Sequence, residues 1–355
     1  MKITGKIEKY SALIGMLLLQ GGLTCACDNE YCAVDDRRAL SFISQSKDLD
    51  KNTRATFGGI FGVTVFHSTS GKITDITETS FFDQIHNKPV VNKSAYWEIQ
   101  ESGKRYFWPD GGALFFTADA PYRVTDPYLV ARPYNFKTTY VYKQFENDGH
   151  TDLQYSDVVF LSAQKNAGSP VPIRFNHALS LVSVEIKVAS TTDGRETWKT
   201  TLNHVELKNV RNRGHVTIQP EGTSGKRWTT SNGGSWNTEG VTTYEKELSY
   251  HQPILLTTDP VLTIHEKMVI PQVLDNQCLL LDFNVESTIK YKDPDGREHK
   301  EEINNHYVKE LLLKKQDLLQ WKMGQHIQYT VILNYNKPIE FEASTYSWNE
   351  DVTLQ

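Results

Sequence analysis

Hydrophobic and polar positions alternate in short runs along most of this chain. Phe61-Gly-Val-Thr-Val-Phe66 repeats with period two, as do Leu181-Val-Ser-Val-Glu-Ile-Lys-Val188 and Ile327-Gln-Tyr-Thr-Val-Ile-Leu-Asn-Tyr335. Period two puts alternate side chains on opposite faces of an extended strand, so each run predicts a strand with one face buried. Ala113-Leu-Phe-Phe-Thr-Ala-Asp-Ala-Pro121 is an apolar run stopped by proline. Further strands are expected at Val158–Ala163, His204–Val210, His215–Gln219, Met268–Ile270, Leu279–Val285 and Thr288–Lys292. Near the N-terminus, Leu40, Phe42 and Ser44 fall on one face of a short extended run. Glycine, asparagine, aspartate and proline punctuate these segments, which predicts an all-β protein built from sandwiches. Asp293-Pro-Asp-Gly-Arg297 predicts a hairpin turn, because proline fixes φ and glycine supplies a positive φ. Val308–Trp321 has a helical composition, yet its first part reads equally well as a strand ending in a turn.

The first thirty residues follow another pattern. Lys2, Lys6 and Lys9 precede the apolar run Ser11–Gln20, and Leu23-Thr-Cys-Ala-Cys27 follows. The run is too short and interrupted to cross a hydrocarbon core of about 30 Å, and it reads as a secretory signal. A small residue directly before a cysteine is where bacterial lipoproteins are cut and acylated. Cys27, after Ala26, fits that junction best; Cys25, after Thr24, is second; plain secretion with cleavage nearby is the alternative. The lipoprotein reading places the mature chain outside the inner membrane on a palmitate-type anchor. Asp28, Glu30, Asp35 and Asp36 then form an acidic tether.

Composition narrows the functions. The chain has 355 residues, enough for two domains after the signal. Small polar residues at Asn166-Ala-Gly-Ser-Pro170 mark the expected division. The formal charge of -5 becomes two units more negative once Lys2, Lys6, Lys9 and Glu8 leave with the signal. No basic block offers a phosphate footprint, which argues against a nucleic-acid partner. Of the four cysteines, Cys278 reads as a small buried hydrophobe in a strand; a Cys32–Cys278 disulfide stays open. The eleven histidines are scattered, and no metal-ligand spacing, nucleophile elbow or phosphate loop occurs. Asp293-Pro-Asp295-Gly296 has a fragment of calcium-loop spacing without the remaining ligands. Glu301-Glu302 reads as a solvated face. No catalytic residue, metal site or cofactor is therefore assigned.

The seven tryptophans say more. Trp108 and Trp348 follow strand-like patterns and are expected in a core. Trp228 and Trp236 stand in a Gly/Ser/Asn-rich stretch, residues 222–240, expected as a long polar loop. Exposed there, they are the candidates for stacking on a sugar ring.

Several segments together resemble the fimbrillin family of Bacteroidetes, surface lipoproteins that build type V pili. They are Thr53-Arg54-Ala55 ahead of the Phe61–Phe66 run, Tyr106-Phe-Trp108-Pro109-Asp-Gly followed by Leu114–Pro121, and Val171-Pro-Ile-Arg-Phe175-Asn-His177-Ala178-Leu179. Val269-Ile-Pro271-Gln272, Trp321-Lys-Met-Gly324 through Tyr329, and Tyr346-Ser-Trp348 complete the order. The resemblance implies two tandem transthyretin-like sandwiches. The chain then divides into a signal peptide (1–26), a tether with a candidate removable strand (27–54), an N-terminal sandwich (55–168) and a C-terminal sandwich (169–355). It further implies assembly with other fimbrillin subunits by donor-strand exchange after cleavage at an arginine. On that reading Leu40-Ser-Phe-Ile-Ser44 is the leaving strand and Arg54 the cut site; Arg37 and Arg38 compete, but cutting there leaves the strand in place. The lipid holds the precursor in the outer membrane. The segment Asn349–Gln355 is short and polar at its start, a poor donor unless Thr345 to Leu354 act as one piece. A chain that accepts but does not donate belongs at a pilus end, as a tip or accessory subunit with a host or bacterial surface ligand. Two other readings remain: a surface glycan-binding lipoprotein of a polysaccharide-uptake system, and a secreted enzyme on a β-sandwich.

Overall fold

Strands form where apolar alternation runs longest, because β-branched and aromatic side chains pack well on a pleated, half-buried surface. The computed structural model describes residues 38–44, 60–77, 79–93, 96–122, 129–134, 137–194, 196–218, 221–223, 227–229, 235–239, 253–335 and 337–348. The first half gives β1 (Phe42–Ser44), β2 (Ile60–Ser68), β3 (Lys88–Asn92), β4 (Trp97–Ile99), β5 (Ala113–Ala120), β6 (Leu129–Tyr134), β7 (Lys137–Glu146), β8 (Gln154–Ser156) and β9 (Val159–Ser162). One helical turn follows, α1 (Ala163–Asn166). The second half gives β10 (Val171–Ile173), β11 (Phe175–His177), β12 (Ser180–Val188), β13 (Thr192–Asp193), β14 (Glu196–Lys208), β15 (Arg213–Ile218), β16 (Glu221–Thr223), β17 (Arg227–Thr229) and β18 (Ser235–Glu239). It closes with β19 (Ile254–Leu256), β20 (Val261–Val269), β21 (Cys278–Lys292), β22 (Glu298–Leu312), β23 (Gln325–Leu333) and β24 (Glu340–Ser347).

The first sheet has nine strands in the order β10-β1-β4-β3-β2-β5-β8-β11, with β9 also on β5. Its two outermost members, β10 and β11, are consecutive in the chain on either side of Arg174. One continuous segment, 171–177, therefore bonds to both ends of the sheet, so the sheet curls round its own core. Phe61, Val63, Val65, Leu114, Phe116, Val171, Ile173 and Phe175 fill that core, and all are buried. Residues beyond Pro170 thus pack with the first sheet as far as His177.

Two further sheets, β20-β12-β23-β24 and β13-β14-β21-β22 with β19 on β14, share a second cluster. Val182, Val184 and Ile186 of one meet Leu202, Val205, Leu279 and Leu281 of the other, the packing of a sandwich. Trp321 and Tyr329 are among its largest buried residues; Trp321 Nε1 donates to Tyr329 Oη at 3.0 Å, and that hydroxyl donates to the Leu313 carbonyl at 3.1 Å. A four-stranded sheet, β18-β15-β7-β6, draws strands from both halves, and β16 pairs with β17.

The ambiguous segment after Val308 is strand to Leu312 and then turns, because Tyr307 and Leu311 continue the inward alternation against the second cluster. Asp293–Arg297 is the expected turn: Gly296 has φ +81°, and Asp293 Oδ1 accepts the Arg297 N–H at 2.8 Å. The stretch 222–240 differs from expectation. It contains β17 and β18 as well as the end of β16, and Trp236 pairs with Val216 of β15. Cross-strand pairing, of β18 with β15 and of β17 with β16, outweighs a turn-rich local composition there.

Candidate functional site: the strand that closes the first sheet

The alternation at Leu40 and Phe42 leads to a strand of three residues at a demanding position. β1 pairs in parallel with β10, Phe42 opposite Val171 and Ser44 opposite Ile173, and antiparallel with β4, Phe42 opposite Trp97. Its main chain is held on both sides. Leu40 N–H donates to the Tyr106 carbonyl at 2.8 Å, Trp108 N–H to the Arg38 carbonyl at 2.9 Å, and Val171 N–H to the Ser41 carbonyl at 2.8 Å. β1 is thus the strip that joins β10 to β4.

Its side chains alternate as a strand requires. Leu40 and Phe42 are 4 % and 0 % exposed, whereas Ile43 is 38 % exposed. Phe42 meets Phe61 and Phe116 edge-on, with ring centres 6.1 and 6.0 Å apart. Burying a side chain of this size contributes about 2–3 kcal/mol. Just before β1, the Arg38 guanidinium donates to Asp110 Oδ1 and to the Pro109 carbonyl, both at 2.7 Å. The wall that receives Leu40 is braced in turn: Tyr106 Oη donates to Glu101, and Lys88 pairs with Glu101 at 3.1 Å. Burial, then the Glu101 contact, pushes the Tyr106 phenol above its usual range. The Tyr106 hydrogen bond and then Lys88 hold the Glu101 carboxyl below its usual range.

The other expected site residues are dispersed. Cys27 and Arg54 lie outside the described residues, as do Cys25, Cys32 and the segment 349–355. Cys278 is buried and free, its thiol pushed up chiefly by burial. Trp228 lies on β17 opposite Gly222, and Trp236 on β18 opposite Val216, so they belong to two different sheets. Trp108 is 3 % exposed and packs edge-on against Phe116, a core residue as expected. Among the described residues no group of three or more His, Cys, Asp or Glu is arranged to hold a metal ion, and no helix is long and apolar enough to cross a membrane.

One cluster had no signal in the sequence. His177 Nδ1 lies 2.8 Å from Asp152 Oδ2, and the His177 ring stacks on Trp348. Gln154 Nε2 donates to the same carboxylate, and Trp348 N–H donates to the Gly324 carbonyl at 2.9 Å. Asp152, His177 and Trp348 are far apart in the chain and share no spacing, so only the folded arrangement joins them.

Residues 53–348 match the family model described as fimbrillin-like. Similar solved structures include a fimbrial protein from Bacteroides vulgatus ATCC 8482, 14% identical with a TM-score of 0.49, covering 88% of this chain and 99% of that one. A protein named for a proposed role in cell adhesion, from Bacteroides uniformis ATCC 8492, is 14% identical with a TM-score of 0.46, covering 88% and 100%. No curated protein matches the chain. Likenesses this remote carry no argument of their own, whereas the family match spans most of the chain and bears out the resemblance read from its motifs. The chain belongs to the fimbrillin-like family and has a structural rather than an enzymatic role.

Proposed function

We propose that this protein is a subunit of a cell-surface fimbria that contributes to adhesion, and that it assembles by exchanging β1 for a strand of another subunit. The observation that carries this reading is the place of β1 between β10 and β4. Removing Leu40–Ser44 uncovers Phe61 and Phe116 and leaves two strand edges without partners. Unpaired edges over an open apolar groove are a template for an incoming strand. The Tyr106 carbonyl and Val171 N–H would pair with the newcomer as they pair with Leu40 and Ser41.

On this reading Arg54, between β1 and β2, is where an arginine-specific protease cuts. A lipid on Cys27 keeps the precursor in the outer membrane until then. The curled sheet and its core, to about His177, form the N-terminal domain, and the following sandwich is the C-terminal domain. Thr345 to Leu354, acting as one piece, are the candidate donor for a neighbouring subunit.

The test is cleavage of the full chain with an arginine-specific protease, followed by N-terminal sequencing, electron microscopy and binding of a synthetic peptide of residues 38–46. The expected result is a chain beginning at Ala55 that captures the peptide or forms multimers resistant to mild denaturant. A fully cleaved chain that stays monomeric and ignores the peptide overturns the reading.

A further inference from the structure

The two sheets of the second cluster part at the end where β23 turns into β24, the far end of β24 from Trp348. The crevice there has a volume of about 230 Å³. Two stacked aromatic pairs border it, one within the sheet of β14, β21 and β22, the other between Trp198 of β14 and Tyr335, which follows β23 of the facing sheet. Phe283 and Tyr307 lie with ring centres 5.3 Å apart, and Trp198 and Tyr335 with ring centres 5.0 Å apart. Phe283 and Trp198 are buried, while Tyr307 and Tyr335 are half-buried, so each pair offers its tyrosine to the opening.

The charge there has one sign. Lys309 and Lys337 are the charged residues lining the crevice, and neither makes an ion pair among the described residues. Lys309 Nζ stands 5.8 Å from the centre of the Tyr307 ring, above its face. No carboxylate lines the opening; the nearby Glu340 is engaged by the Asn334 amide, which donates to it at 2.9 Å.

We infer that this crevice binds a sugar acid, a pyranose ring that carries a carboxylate, as in uronic and sialic acids. The apolar C–H face of such a ring matches a tyrosine face, and its carboxylate takes charge-assisted hydrogen bonds from the two lysines. The volume lies below the roughly 300–1,000 Å³ of pockets for drug-sized ligands and suits a single ring. A peptide strand is the poorer occupant. It needs a free main-chain edge, whereas Thr200, Phe283 and Val285 line the crevice from strands paired on both sides. The inference makes no use of β1 and stands independently of strand exchange.

The experiment titrates the full-length chain with galacturonate, glucuronate and N-acetylneuraminate tetrasaccharides, their neutral methyl esters, and an acidic hexapeptide. Binding is read by calorimetry and by the fluorescence of Trp198 behind Tyr335. At least one acid should saturate with a Kd near or below about 1 mM. Its ester should bind about tenfold more weakly, and Lys309→Gln with Lys337→Gln should weaken the acid by about tenfold or more at an unchanged melting temperature. The inference fails if none of the three acids binds, if the esters bind as well as the acids, if the double variant binds undiminished, or if the peptide binds more tightly than every sugar.

Discussion

Trp348 lies flat on His177, with ring centres 3.8 Å apart and 5° between the planes. His177 belongs to β11 of the curled sheet, and Trp348 follows β24 of the sandwich. Asp152 fixes the imidazole at its Nδ1 edge, and His177 and Asp152 side chains are 4 % and 8 % exposed. The stack therefore fastens the end of an edge strand, inside the proposed donor segment Thr345–Leu354, to the other core. Aromatic pairs of this kind contribute about 0.5–1.5 kcal/mol beyond the area they bury. In Trp348→Ala and His177→Ala, amides of β24 should exchange hydrogen about tenfold faster or more, the factor that 1.4 kcal/mol gives, while those of β21 keep their rates. Unchanged exchange in β24 shows that the stack does not hold it.

Phe42 and Ile43 are neighbours with opposite surroundings. Phe42→Ala should lower the unfolding free energy of the intact chain by about 3–5 kcal/mol, the range for truncating a buried phenylalanine. Ile43→Ala should change it by less, about 0.5 kcal/mol, because that side chain faces out. After cleavage and release of β1, the Phe42 variant and the parent should unfold alike. Urea titrations of both forms decide, and an equal gap before and after release means that β1 never left.

Arg54→Ala should block both cleavage and multimer formation, while Arg37→Ala and Arg38→Ala leave multimers intact. Arg38 carries its own contacts to Asp110 and Pro109, so its variant should lose some stability without losing assembly. Normal multimers from Arg54→Ala remove that residue from the mechanism.

Lys267, on β20, gives a pH dependence. Burial holds its ammonium down to about 8 from 10.5, against a smaller opposing pull from Asp148. Burial, and then the Lys267 charge, also lowers the neighbouring His150. Between those two values the unfolded chain binds more protons than the folded one, so stability rises with pH across that window. Below about 8 the buried charge opposes folding in full. Lys267→Met should therefore gain on the parent most at pH 7, and the difference should shrink towards pH 10.5. A difference that is the same at pH 7, 9 and 10.5 in urea unfolding rules this out.

Much of the architecture was legible along the chain. Phe61–Phe66, Leu181–Val188 and Ile327–Leu333 became strands because period two needs only neighbouring residues to express itself. The Asp293–Arg297 turn followed for the same reason. The tract with Trp228 and Trp236 misled because its glycines and serines describe local freedom, while β17 pairs with β16 and β18 with β15, which lies outside the window.

Local pattern thus settled which segments extend, where they turn, and that Leu40 and Phe42 share a buried face. It could not settle what they are buried against. The insertion of β1 between β10 and β4, the stack of Trp348 on His177, and the crevice between Tyr307 and Tyr335 each join residues distant in the chain. Such pairings are chosen by the packing of whole sheets and by closure of the first one on itself. A strand's alternation specifies the face it buries and leaves its neighbours to the fold.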